Sequence, residues 1–212
     1  MRSIITAIMV LLICSAAYSQ TKLSLLDGTR YNVKDYTFFN DNSSSIEIKL
    51  EKNNGKLKTK YIDLNDIWAF GDSILYVPTQ EGEYSVEDMR NVVLGKQTGK
   101  DEFKAWWACA GGFVVGAGSM FYFGAYKSQP ILSLAVPIVY ATGISFVRPT
   151  KKGIMKRHPE YSDNEYFVYG YQNIGRRKIM INTIIGTLGG IVVGGVTSLA
   201  LKSSGTIYIA RP

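Results

Sequence analysis

An α+β membrane protein is the fold class this sequence predicts: a small antiparallel β meander, with an SH3-like barrel as its curled form, followed by about three transmembrane helices. Three observations predict it. From Ile179 to Leu201 there is no charged residue, and such a helix, rising ~1.5 Å per residue, reaches roughly 34 Å and crosses a ~30 Å hydrocarbon core. Two more uncharged runs, Ala105 to Tyr126 and Ser128 to Val147, are bracketed by Lys104, Lys127 and Arg148. Ahead of them, residues 20–84 alternate apolar and polar residues between the turn signals Asp27-Gly28, Asn54-Gly55 and Gly71-Asp72.

Taken in order, residues 1–19 read as a signal peptide. Arg2 precedes the apolar stretch Ile4 to Ala17, and Ala17-Tyr18-Ser19 offers a small-x-small cleavage site before Gln20. Lipidation at Cys14 is disfavoured by the bulky Ile13 before it. With that segment removed only Cys109 remains, so the mature chain has no intramolecular disulfide.

The β domain, 20–84, is clearest around Asn54-Gly55. Ile46, Ile48 and Leu50 alternate with Ser45, Glu47 and Lys49, and Leu57, Thr59 and Tyr61 with Lys56, Lys58 and Lys60. A two-residue loop pairs Leu50 with Thr59 and Ile48 with Tyr61, and sets Glu51 opposite Lys58. The next hairpin, Ile67 to Phe70 turning at Gly71-Asp72 into Ile74 to Val77, is apolar on both faces. Tyr61, Trp68, Phe70 and Tyr76 are its candidate partner-binding residues, acting through a strand edge or an aromatic face.

A juxtamembrane helix is expected over 85–104, capped by Ser85 with Asp88 and interrupted near Gly95 and Gly99. A helical hairpin of two spans follows over 105–147, the second kinked at Pro137. Residues 148–178 form a basic and aromatic loop and helix, with Ser162 and Glu165 as a capping box. Here Lys151, Lys152, Tyr169, Tyr171, Arg176, Arg177 and Lys178 are expected at the membrane interface, where basic side chains meet anionic headgroups. The last span, 179–201, precedes a tail, 202–212. Gly186, Gly190 and Gly194 recur on one helix face, flanked by Gly189 and Gly195, and Ala108, Gly112 and Gly116 repeat the spacing in the first span. This is a glycine-zipper pattern in which small residues let two backbones approach.

The signal segment, the small β domain, the glycine-rich spans and the passage from Tyr169-Gly170-Tyr171 to Arg176-Arg177-Lys178 ahead of Gly186 together resemble uncharacterised bacterial envelope proteins of similar layout. The resemblance brings no activity with it.

Chemistry is sparse. His158 is the only histidine and is expected as a solvated loop residue. The β domain has no His and no Cys, so neither an ordinary zinc site nor a Ser-His-Asp triad can be assembled there. Turn chemistry accounts for Asp63, Asp66 and Asp72. The expectation is therefore no enzyme, no catalytic residue, no metal and no cofactor. The net charge of +7 gathers beside the spans, which points to a bilayer with anionic headgroups and not to nucleic acid. The expected function is a structural or adaptor protein of the bacterial envelope, in the inner rather than the outer membrane. Its periplasmic β domain binds an unidentified envelope component, and the chain forms homo- or hetero-oligomers. The alternative is an oligomeric pore or transport-complex subunit assembled through the glycine-rich helices.

One feature conflicts with three spans. They put the basic 148–178 loop on the side of the β domain, outside the cytoplasm, against the positive-inside tendency. A single crossing of 105–147 with the Pro137 run re-entrant, an uncleaved anchor with the β domain inside, or an outer membrane are the alternatives.

Overall fold

The computed structural model describes residues 21–38, 44–51, 56–78, 83–127 and 129–204. The signal-peptide reading of 1–19, the Asn54-Gly55 turn and most of the tail lie outside them. The chain forms two compact units, divided after Met89.

The first unit is a six-stranded antiparallel sheet of order β4-β3-β2-β1-β5-β6. Its strands are β1 (Thr21–Leu25), β2 (Arg30–Phe38), β3 (Ser45–Glu51), β4 (Leu57–Asp63), β5 (Ile67–Phe70) and β6 (Ser73–Ile74). Gly28 and Gly71 take positive φ, 82° and 61°, which lets the chain reverse tightly between β1 and β2 and between β5 and β6. Asp27 braces the first turn by accepting from the Thr29 amide at 2.7 Å.

A single 3-10 turn, Leu64–Asp66, carries the chain from β4 at one edge to β5 beside β1. Four residues reach at most ~14 Å, whereas four strand spacings in a flat sheet are ~19 Å. The sheet is therefore curled, and its concave face encloses Leu23, Leu25, Val33, Ile46, Ile48, Ile62 and Ile67. No pairing joins β4 to β6 among the described residues, so the sheet stays open at those two edges.

The β3–β4 register differs from the sequence expectation by one residue. Leu50 faces Lys58, Ile48 faces Lys60 and Glu51 faces Leu57. With strand period 2, that slip turns every β4 side chain over. Ile62, opposite Ile46, enters the core, and Tyr61 is left 62% exposed. Lys60 instead runs its stem along the inner side, with its ammonium 4.6 Å over the Tyr31 ring and hydrogen-bonded to the Tyr31 hydroxyl.

The second unit is helical: α1 (Val86–Glu102), α2 (Trp106–Ser119), α3 (Pro130–Ile144), α4 (Lys151–Arg157) and α5 (Glu165–Ser203). A π-helical stretch, Met120–Tyr126, continues α2. Ser85 caps α1 as expected, accepting from the Asp88 amide at 3.1 Å and donating to its carboxylate at 2.7 Å. Helix α1 runs uninterrupted through Gly95 and Gly99. The cap of α5 is Asn164, whose side chain accepts from the Phe167 amide at 3.0 Å, and not Ser162. Thr150 caps α4.

Among the described residues two helices are long and apolar enough to cross a membrane, Trp106–Tyr126 and the stretch Glu165–Leu201 within α5; the apolar part of α3, Ile131–Ile144, is shorter. Helices α2 and α5 run parallel: Gly186, Gly190 and Gly194 lie in turn against Cys109, Phe113 and Ala117. Helix α3 returns antiparallel to α2, with Ser133 beside Ser119 and Tyr140 beside Gly111.

Candidate functional site

The helical unit is built around a groove of small residues. A Cβ added to Gly194 would stand 2.7 Å from the Ala117 carbonyl oxygen, and one added to Gly112 2.6 Å from that of Thr183. At Gly186, Gly190 and Gly116 the added atom would collide still more closely with the carbonyl oxygens of Cys109, Phe113 and Thr187. Ala108 is fully buried beside Ile179. The two stripes are thus placed against each other within one chain. Gly195, about 140° around the helix from Gly190, would meet only the Met120 methyl group at 3.5 Å.

Around α2, α3 and the C-terminal part of α5, side-chain placement reverses that of a water-soluble core. Buried positions hold Gly112, Gly116, Ser119, Ser133, Thr183, Thr187 and Ser198, while large apolar side chains point outward. Ile131 is 81% exposed, Val139 71% and Leu199 70%. The buried hydroxyls are mostly satisfied by their own helix: Thr183 donates to the Ile179 carbonyl at 2.9 Å and Ser198 to that of Gly194 at 2.6 Å. Ser119 reaches across to the Ser133 carbonyl at 3.0 Å.

A second crossing was not anticipated from the sequence. Gly95 of α1 lies against the Phe167 carbonyl and Gly170 of α5 against that of Val92, with Gly99 3.2 Å, by an added Cβ, from the Tyr171 carbonyl oxygen. The glycines read as helix interruptions are instead where α1 docks on the N-terminal half of α5. The signal was present as the four-residue spacing of Gly95 and Gly99, the same spacing that marked the spans.

The basic end divides into internal and outward groups. Lys178 is internal: its ammonium donates to the Lys100 and Phe103 carbonyls at 2.5 and 2.8 Å, satisfying acceptors at the end of α1. Tyr171 is also internal, 1% exposed and packed with Phe103 and Phe167. Its hydroxyl and that of Thr187 are buried without a hydrogen-bond partner. Arg176 donates its Nε to the Ser145 carbonyl at 2.8 Å, and Lys151 pairs with Glu165 at 3.3 Å. Lys152, Tyr169 and Arg177 are exposed.

His158 departs from expectation too. Its side chain is 12% exposed, with Nε2 2.9 Å from Glu102 and Nδ1 3.5 Å from Glu160. Its ring packs against Phe167 and Tyr171. The residue clamps the end of α1 to the aromatic cluster, a role invisible in a sequence where Glu102 lies 56 positions away.

In the β unit the four candidate partner-binding residues do not form one patch. Tyr61 stands on the β4 edge; Trp68 and Tyr76 pack at 5.8 Å beside the other edge. Phe70 packs edge-on against Tyr36 at 4.7 Å. Trp68 is buried, so it supports the surface and does not present it. Next to it lies a groove of about 340 Å³ lined by Leu26, Leu64, Ile67, Leu75, Tyr76 and Glu83, among others. That volume is in the range of small-ligand or side-chain pockets. Burial, with the Glu83 carboxylate second, pushes the Tyr76 hydroxyl above the ordinary tyrosine value. It therefore stays a donor, bonded to the Tyr84 carbonyl at 3.0 Å.

Among the described residues no three His, Cys, Asp or Glu side chains converge as metal ligands would. No protein-family model matches the chain, and no curated protein or solved structure matches it either. What the fold defines is a class: an α+β chain whose described residues form a six-stranded antiparallel sheet followed by five α-helices, two of them long and apolar.

Proposed function

We propose that this chain is an integral membrane structural or adaptor protein of the bacterial envelope, whose β domain holds another envelope component while three helices anchor it. The observation that carries the reading is the reversed packing of α2, α3 and the C-terminal part of α5, with glycine and hydroxyl residues inside and isoleucine, valine and leucine outside. Water disfavours so broad an apolar surface, and lipid does not. The parallel course of α2 and α5 supports three crossings. Two helices traversing in the same direction need a segment that returns, and α3 runs back between them. At about 22 Å for its helical length, α3 falls short of a ~30 Å core, and the exposed Phe146 and Val147 beyond it extend its apolar reach.

The glycine stripes favour the anchor over the oligomeric pore. In one chain they are already occupied by each other, so they do not offer a free face for ring assembly. The β domain contributes the groove beside Tyr76, whose leucine, isoleucine and valine walls alternate with Asn65, Tyr76 and one carboxylate and suit a partner segment that brings both apolar and polar groups. Catalysis and cofactors have no part in this reading.

Alkaline extraction of membranes tests the anchor: the protein stays in the pellet and enters solution only with detergent. A photo-cross-linking residue at Tyr76 tests the adaptor. It captures one discrete envelope component, and Leu75→Glu at the groove wall abolishes capture. A chain released by alkali, or turnover of a substrate by purified protein, removes the proposal.

A further inference from the structure

The cavity between the end of α3 and the middle of α5 carries a function of its own. It has a volume of about 110 Å³ and is lined by Arg148, Tyr169, Gln172, Asn173 and Arg176. No carboxylate is among these residues. Two hydrogen bonds shape it: Gln172 Nε2 donates to the Pro149 carbonyl at 2.9 Å, and Arg176 Nε to that of Ser145 at 2.8 Å. Together they fix the 145–149 turn, and with it Arg148, onto α5. The Arg176 guanidinium also lies 5.7 Å from the centre of the Phe146 ring, so stacking and one nitrogen hold its plane and leave its two terminal nitrogens for a ligand. Arg148 makes no hydrogen bond or ion pair with any described residue.

Two guanidinium groups therefore line one cavity that has no carboxylate among its lining residues. An anion that enters the cavity is attracted to both. The surrounding stretch is basic. From Arg148 to Lys178 there are eight Lys or Arg residues against three carboxylates, and Glu165 is paired with Lys151 while Glu160 faces His158. The remaining lining groups are a phenol and two amides, all capable of donating. A planar guanidinium fork matches phosphate oxygens two at a time, and a tetrahedral phosphate presents enough oxygens for both forks and an amide.

We propose that Arg148 and Arg176 form a binding site for a phosphate group, with Gln172, Asn173 and Tyr169 as its neutral donors. The source of the phosphate is a lipid headgroup or a soluble phosphate. The membrane reading bears on that source, because Phe146 and Val147 are exposed beside the cavity and would sit in the acyl region while the arginines stay at headgroup depth. The site itself does not depend on it.

The test uses the full chain purified in a neutral detergent. One arm titrates inorganic phosphate calorimetrically; the other measures retention of phosphatidylglycerol and of an uncharged diacylglycerol by native mass spectrometry. Expected is binding in at least one arm that Arg148→Gln weakens about tenfold or more, the size of a lost charge-assisted hydrogen bond, with an unchanged melting temperature. Arg176→Lys, which keeps the charge and loses the fork, weakens it as well. Lys156→Gln, the same loss of charge on α4 outside the cavity, leaves it within twofold. Binding of phosphatidylglycerol alone identifies a lipid site, and binding of inorganic phosphate alone a soluble one. Absence of binding in both arms, equal retention of the two lipids without phosphate binding, or equal weakening by Lys156→Gln overturns the proposal. Release of the chain by alkali with arginine-dependent phosphate binding intact would overturn the membrane reading and leave this one standing.

Discussion

At Gly190 a single hydrogen atom decides whether two helices meet. An added Cβ would collide with the Phe113 carbonyl, which is backbone and has nowhere to move. Gly190→Ala is therefore expected to lower stability in detergent by about 1–3 kcal/mol, as overpacked contacts do. Gly195→Ala, where the new atom meets only the flexible Met120 side chain, leaves stability equal or slightly higher because alanine favours the helix. Thermal melting of the two variants, read side by side, checks the groove. Tyr171 gives the opposite kind of test. Its buried hydroxyl has no partner, and an unmade hydrogen bond costs ~1–3 kcal/mol, so Tyr171→Phe is expected to hold or raise the melting temperature; a marked fall would mean that the hydroxyl is bonded. On the β unit, Lys49 lies 2.9 Å from Asp35. The hydrogen bond to Lys49, and then its charge, hold the Asp35 carboxyl below its ordinary 3.8. Its contribution is present above that value and disappears as pH falls through the lower folded-state pKa. Lys49 is raised by the same bond, so its share is present below 10.5 and lost as pH rises through the higher folded value. Both groups are solvent-exposed, and high salt is expected to erase the melting difference between wild type and Asp35→Asn.

At the scale of elements, β4 is the sharpest case. Its two faces are Leu57, Thr59 and Tyr61 or Lys58, Lys60 and Ile62, and local apolarity favours the first. The fold uses the second, because Ile62 completes a layer with Ile46 and Ile48 and the stem of Lys60 lies beside Tyr31 as cover. Ile62→Ala is expected to cost about 2–5 kcal/mol, against about 0.5 kcal/mol or less for Tyr61→Ala; denaturant melts of the two variants distinguish the registers. Turns at Gly28 and Gly71 were legible because positive φ singles out glycine there, and the Ser85 cap because its partner is three residues on. The β4 register was not, since parity depends on what the opposite strand needs and on a loop of unknown length. Gly95 and Gly99 were misread for a related reason. Glycine weakens an isolated helix, but a backbone-to-backbone crossing with Phe167 and Tyr171 compensates, and those partners lie some 70 residues away. Arg148 and Arg176 appeared in the sequence as two of many basic residues. Their convergence follows from the return of α3, which no local pattern encodes.

For the whole molecule, the direction of the helices makes a prediction that composition does not. Parallel α2 and α5 with α3 returning between them mean that, in a membrane, the residues just before Trp106 and the stretch from Arg148 to Lys178 share one side. The re-entrant alternative, with a single crossing before Arg148, would separate them. Cysteines introduced at Ser44, Ser162 and Ser203 after Cys109→Ala therefore report the path directly. Cys109 is half-buried and its carbonyl, not its thiol, contacts Gly186, so that background is expected to keep the groove. In intact cells an impermeant maleimide is expected to treat Ser44 and Ser162 alike and Ser203 oppositely. Labelling of the first two without permeabilisation of the inner membrane agrees with a β domain outside the cytoplasm, at the expense of the positive-inside tendency. Labelling of Ser203 alone reverses the orientation and keeps the three crossings. Opposite results at Ser44 and Ser162 would mean that α3 does not cross, and α2 and α5 would then traverse in opposite directions, which the parallel packing of Gly186, Gly190 and Gly194 on Cys109, Phe113 and Ala117 does not allow.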